Sequence, residues 1–163
     1  MGGKTVLGLA LALLAAGDSR AAGGRLGTLE VAAFEVVSTV QLPADFQASL
    51  SLNLISRLQE SGKFEEVVQA GSGSSAAAPP AVRLTGEVTE FKRGSQAKRY
   101  LLGPGFGKTI VKAHIRFTEI GSGKVLLERD VDGKVIIGVL GGDSKGATNG
   151  LAKEVAKVAK KSL

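Results

Sequence analysis

Basic side chains and glycines are concentrated together in residues 92–108. Glycines allow backbone amides to approach a ligand closely, and basic groups attract anions over longer distances. We therefore interpret this segment as a candidate site for an anionic group or partner. The alternative is a solvated hairpin loop shaped by its glycines. The candidate binding residues are Lys92, Arg93, Lys98, Arg99, Gly103, Gly105, Gly107 and Lys108.

Part of this segment, Gly103–Thr109, resembles a nucleotide-binding loop without matching it. The phosphate-binding pattern needs a glycine five residues before Gly107, and Leu102 occupies that position. The residues after Thr109 alternate like a strand, whereas a phosphate loop leads into a helix N-terminus. The sequence therefore does not predict nucleotide hydrolysis here.

Other catalytic chemistry has few candidate residues. The chain has no cysteine and one histidine, His114. This excludes disulfides, thiolate nucleophiles, iron–sulfur clusters and a multi-histidine metal site within the chain. No Gly-x-Ser-x-Gly nucleophile elbow accompanies His114, which we interpret as a solvated surface residue beside Lys112 and Arg116. We predict no catalytic residue, no metal and no cofactor.

Composition bounds the class of protein. The 163 residues suffice for one compact domain, and 44% of them are hydrophobic. Aromatic residues make up only 4%, which leaves few stacking platforms for single-stranded nucleic acid. The net charge of +6 includes a run of lysines near the C-terminus, which we interpret as a solvated helix face.

The N-terminus resembles a secretory signal. Lys4 precedes about a dozen apolar residues, and small residues flank Arg20, so cleavage after Ala21 is expected, with Ala16 as another candidate. The apolar run is shorter than the roughly 20 residues of a membrane span. A buried N-terminal helix is the alternative. We predict a signal peptide over 1–21, a flexible segment over 22–28 and a single domain over 29–163.

The remaining pattern predicts an α+β fold. A β-branched strand over 29–37 precedes a helix over 43–60, whose apolar face contains Phe46, Leu50, Leu54 and Leu58, widened by Leu52 and Ile55. Gly62 suits a left-handed cap, and a strand over 64–68 should pair parallel to the first. Residues 71–80 are of low complexity and predict a flexible loop.

Three further strands and a last helix complete this domain. Val82, Leu84 and Val88 share one parity, as do Val111, Ala113, Ile115 and Phe117, and Val125, Leu127 and Val131 repeat the alternation. Gly133 indicates a bulge or break. A helix that begins near Asp143 or Ser144 buries Leu151, Val155 and Val158. The predicted architecture is two-layer, with two helices on one face of a mixed, mostly antiparallel sheet in the order β-α-β-β-β-β-α.

These features together resemble a known family. The residues are Val31–Phe34, Thr85–Phe91, Gly94, Arg99, Gly103–Gly107 and Gly121–Lys124. In this pattern the chain resembles the bacterial envelope proteins of domain-of-unknown-function family 4410, many of which look like lipoproteins. The family implies no established chemistry. Gly17 stands where a lipidated cysteine is found in many members, so we expect an exported protein of the periplasm or envelope, without a lipid anchor and at most peripheral to the membrane.

The expected function is therefore a non-enzymatic binding or assembly module, with an envelope protein or an anionic envelope component as its partner and no nucleic acid. An enzyme or ligand-binding protein that acts on an anionic small molecule at residues 92–108 is the alternative.

Overall fold

A computed structural model of the chain describes residues 25–71, 80–94, 101, 109–134 and 144–163. Their helices are α1 (Phe46–Glu60) and α2 (Ser144–Ser162). Their strands are β1 (Leu29–Val31), β2 (Glu35–Val36), β3 (Val67–Gln69), β4 (Val82–Lys92), β5 (Ile110–Glu119) and β6 (Val125–Lys134). The predicted signal peptide and nearly all of the predicted loop over 71–80 lie outside the described residues.

The strands form one mixed sheet in the order β3-β1-β4-β5-β6, with β2 also paired to β4. β1 pairs parallel with β3 and β4, as expected for a strand-helix-strand unit. The long strands β4, β5 and β6 pair antiparallel. α1 and α2 pack on each other and on the same face of the sheet. The predicted two-layer α+β fold is confirmed.

The helix stripe and the central strands bury the residues that their periodicity indicates. Phe46, Leu50, Leu54 and Leu58 are all buried, as are Val111, Ala113, Ile115 and Phe117 of β5. Ile55 packs partly against this core. Leu52 is 68% exposed, so its assignment to the apolar face was wrong. At about 100° per residue, Leu52 lies nearly opposite the centre of the buried stripe.

The predicted first strand over 29–37 is interrupted. Residues 32–34 separate β1 from β2, and Phe34 is buried. A Cβ atom at Gly86 would lie 2.5 Å from Cζ of Phe34. The missing side chain at Gly86 therefore makes room for this ring on β4.

The chain is already paired before β1. Within the segment that we predicted to be flexible, Leu26 donates from its backbone N to the Lys63 carbonyl, and its own carbonyl accepts from Glu65. Thr28 is buried. Residues 22–24 lie outside the described residues.

Two expectations for β6 are corrected. Leu126 is an extra residue between the pairs Phe117–Leu127 and Thr118–Val125, so Val125 faces away from the core and is 44% exposed. Gly133 stays in register with Val111 and forms no bulge, and residues 135–137, before which a break was the other expectation, lie outside the described residues. Its role is close packing, because a Cβ atom there would lie 2.8 Å from the backbone of Leu151 on α2.

Gly62 ends the first helix as predicted. It follows the C-cap residue Ser61 and has a φ of 67°, in the left-handed region that glycine adopts without strain. In α2, Leu151 and Val155 are buried and Val158 is partly buried, so this predicted face is also found.

Candidate functional site: the outer face of the sheet

The predicted binding segment lies only partly within the described residues. Lys92 ends β4, followed by Arg93 and Gly94. Lys98, Arg99, Gly103, Gly105, Gly107 and Lys108 lie outside the described residues. The Gly94 backbone N donates to Oγ1 of buried Thr109 at 3.0 Å, which joins the two ends of this segment. Phe91, near the end of β4, packs edge-on against Phe46 at the start of α1, with their ring centroids 5.5 Å apart.

Lys92 is not a free cation in this arrangement. Its Nζ lies 2.5 Å from Oε1 of Glu90, while Nζ of Lys112 lies 2.8 Å from the other carboxylate oxygen. The two hydrogen-bonded ammonium groups lower the pKa of Glu90 to about 2, with Lys112 contributing most. Of the two described candidate cations, Arg93 alone has no ion pair to another described residue.

The densest set of polar contacts in the described residues lies on the outer face of the sheet, the face turned away from the helices. Three basic residues of β5 stand opposite three acidic residues of β6 in register: Lys112 with Asp132, His114 with Asp130, and Arg116 with Glu128. Cross-strand pairs of opposite charge each stabilise a sheet modestly. The charged ladder therefore favours the observed pairing register of the β5–β6 hairpin.

His114 is the centre of the ladder. Its Nδ1 lies 2.8 Å from Asp130 Oδ1, and its Nε2 lies 2.9 Å from Glu128 Oε1. Two carboxylates favour the imidazolium, in which both ring nitrogens donate. Hydrogen bonds to Glu128 and Asp130, in that order of size, raise the pKa of His114. Arg116 also donates to Glu128 at 2.6 Å and, with His114, lowers the pKa of that carboxyl.

This geometry limits what His114 can do chemically. A nucleophile-activating histidine needs one nitrogen on a carboxylate and the other on the nucleophile. Here both nitrogens contact carboxylates. Our interpretation of His114 as a simply solvated residue is also incomplete, because it is held in an ion-paired network although 39% of its side chain is exposed.

The spacing of charged residues around one turn could have predicted this network, whereas the alternation within each strand could not. Lys112, His114 and Arg116 lie on one side of the Gly121–Gly123 turn, and Glu128, Asp130 and Asp132 lie at equal distances on the other side. A tight hairpin centred on Ser122 brings these two rows together.

The described part of the chain contains neither a candidate metal site nor a candidate membrane-spanning helix. Within residues 25–71, 80–94, 101, 109–134 and 144–163, no group of three or more His, Asp or Glu side chains is placed to hold a metal ion. Neither α1 nor α2 combines the length and apolar character that crossing a bilayer requires.

The fold defines a two-layer α+β domain whose helices cover one sheet face and whose other face is charged. The chain belongs to the family described as "Domain of unknown function (DUF4410)", whose sequence model matches residues 35–139. This match confirms the resemblance found in the sequence. No curated protein sequence matches the chain.

Two solved structures of PelC from Paraburkholderia phytofirmans, both dodecamers, are similar to this chain. The first, of a PelC variant, has a TM-score of 0.55 at 15% identity and covers 87% of this chain and 93% of PelC. The second has a TM-score of 0.54 at 16% identity and covers 84% of this chain and 89% of PelC. At these identities the comparison shows a shared fold.

Proposed function

We propose that this chain is an exported assembly module of the bacterial cell envelope that acts by binding protein rather than by catalysis. The observation that carries the proposal is the similarity to PelC, a dodecamer, which covers 87% of this chain and 93% of PelC. The similarity therefore involves the whole domain rather than a shared fragment. By analogy with PelC, we infer that this chain binds further copies of itself.

Self-association is tested with two tagged copies of the full chain. One copy carries an affinity tag and the other an epitope tag, both at the C-terminus so that N-terminal processing does not remove them. After co-expression, purification through the first tag should recover the second copy in comparable amount. An unrelated exported protein with the same two tags is the control. Recovery of the first copy alone contradicts the proposal.

The export part of the proposal rests on the N-terminal sequence. Lys4 and the apolar run after it have the pattern of a cleaved secretory signal, and Gly17 offers no thiol for lipid attachment. We expect the intact mass of protein recovered from the envelope fraction to lack residues 1–21, or 1–16 if the earlier site is used. A mass that includes Met1–Ala16 contradicts export by cleavage of this leader.

The second candidate function is binding of an anionic small molecule at residues 92–108. The hydrogen bond from Gly94 N to Thr109 Oγ1 supports this second function, because it holds the neighbouring Arg93 at the start of the basic segment. We expect the double substitution Arg99→Ala and Lys108→Ala to weaken binding of inorganic pyrophosphate, measured by calorimetry, at unchanged melting temperature. Added salt should also weaken it, since exposed charges are screened over about 8–10 Å. A matched control replaces two exposed basic residues elsewhere, Arg25→Ala and Lys124→Ala. Equal binding by both double variants contradicts a site in this segment.

A further inference from the structure

One edge of the sheet has no partner among the described residues. β6 is the last strand in the sheet order and pairs only with β5. It is 10 residues long, and no backbone hydrogen bond beyond the β5–β6 ladder joins it to another described residue. Alternate N–H and C=O groups of such a strand point outward and are a template for a further strand.

A groove lies along this edge, between β6 and α2, with a volume of about 740 Å³. Its strand side consists of residues 129–132, and buried Val131 lies at its floor. Its helix side is lined by Gly150, Lys153, Glu154, Lys157, Val158, Lys161 and Ser162. The three lysines are spaced four residues apart, so they lie along one side of the helix.

The inner side of this β6–α2 groove is basic. Arg129 lies on the inner face of the sheet, in register with Ile115, and is exposed. Among the described residues, no ion pair involves Arg129, Lys153 or Lys161. Glu154 contacts Lys157 at 3.1 Å, so these two charges offset each other.

The outer face of the same edge has the opposite charge. Glu128, Asp130 and Asp132 alternate with the inner-face residues along β6. The carboxylates of Glu128 and Asp130 are bound to His114 on the outer face, and Asp130 and Asp132 form the acidic rim of the groove. A strand that adds to β6 thus meets cations on its inner side and carboxylates on its outer side.

We propose that the β6–α2 groove binds an extended acidic segment of a partner protein, which adds to β6 as a further strand. Main-chain hydrogen bonds to β6 provide the affinity common to strand addition. Carboxylates at every second residue contact Arg129, Lys153 and Lys161. The residues between them are uncharged or basic, because they stand beside Glu128, Asp130 and Asp132. This partner is distinct from the second copy invoked for self-association.

The charge pattern disfavours the β6 strand of a second copy as the occupant. A twofold axis normal to the sheet pairs two β6 strands antiparallel and keeps their outer faces on the same side. The acidic row of one copy then lies beside the acidic row of the other, and like charges in that position are destabilising. Charged edge residues are a known protection against such self-pairing.

The test measures binding of fluorescent nine-residue peptides to the full chain by anisotropy. The probe peptide alternates glutamate with threonine. One control has lysine for every glutamate, a second has the same composition with the glutamates in one block, and a third carries N-methyl groups on alternate amides. We expect the probe peptide to bind at least about tenfold more tightly than each control. Equal binding of the blocked or N-methylated peptide means attraction by charge alone and overturns strand addition, as does equal binding of the lysine peptide.

Two neighbouring lysines provide matched variants. Lys161 lines the groove and Lys160 does not, yet both are exposed in the last turn of α2 and have the same relation to the helix dipole. Lys161→Glu should weaken binding of the probe peptide about tenfold, and Lys160→Glu should leave it within about twofold. Equal effects of the two substitutions overturn the proposal.

Co-purification of tagged copies separates this inference from the proposed self-association. Loss of peptide binding in Lys161→Glu with self-association retained supports a separate partner. Loss of both identifies the occupant as a second copy and overturns the proposal.

Discussion

The close contact between Gly133 and α2 predicts that Gly133→Ala destabilises the packing of α2 on the sheet. A Cβ atom at Gly133 would lie 2.8 Å from both N and Cα of Leu151 and 2.9 Å from its Cβ. Ordinary contact begins near 3.4 Å, so α2 must retreat by about 0.6 Å to accept Gly133→Ala. Overpacking of this kind typically costs about 1–3 kcal/mol in free energy of unfolding. We expect a loss in that range.

A second glycine provides the comparison that makes this prediction specific. At Gly86 the atoms in the way belong to the ring of Phe34, which a substitution can remove. We expect Gly86→Ala to cost markedly less in a Phe34→Leu background than in the wild type. Leu151→Ala, in contrast, leaves the Leu151 backbone in place, so it should not rescue Gly133→Ala.

Both comparisons are double-mutant cycles, measured by urea denaturation followed by circular dichroism. Protein concentration must be fixed, because self-association shifts apparent stability. Refutation takes either of two forms. Gly133→Ala within about 0.5 kcal/mol of wild type shows that α2 does not approach β6 so closely. Rescue of Gly133→Ala by Leu151→Ala shows that the close contact is with the side chain.

Two other substitutions test burial and charge. Leu54→Ala should lower the free energy of unfolding by about 2–5 kcal/mol because Leu54 is buried in α1. Leu52→Ala should change it by less than about 0.5 kcal/mol because Leu52 is exposed. Similar denaturation midpoints for both variants contradict the orientation of the helix. His114→Gln should remove a pH dependence. Glu128 and Asp130 raise the pKa of His114 in the folded protein above 6.5, and Glu87 stands opposite His114 on β4. The imidazolium therefore stabilises the folded state fully below pH 6.5, and this stabilisation is lost as the pH rises through the folded pKa. The melting-temperature advantage of wild type over the variant should therefore shrink as the pH rises above about 6.5, and a difference that stays constant with pH contradicts a stabilising imidazolium.

The sequence predicted the fold where side-chain periodicity is strong. β5 alternates apolar and polar residues from Val111 to Thr118, and α1 places an apolar residue every fourth position, so both buried faces follow from backbone geometry. Parallel pairing of β1 with β3 followed from the intervening helix.

Periodicity did not predict the departures from regular pairing. The break after Val31 depends on where Phe34 finds space over Gly86, and the exposure of Val125 depends on one extra residue, Leu126. Both are consequences of tertiary packing. The charged ladder was missed for a different reason. Each strand was read separately, whereas the ladder exists only once the hairpin register is fixed.

The central claim, that this chain assembles with itself, is tested most directly by the native mass of the purified mature protein. Native mass spectrometry on the natural, untagged chain at several concentrations reports the number of copies in each particle. We expect a discrete species of many copies that persists on dilution into the low micromolar range. A single-chain mass at every concentration contradicts the claim that this domain is an assembly module.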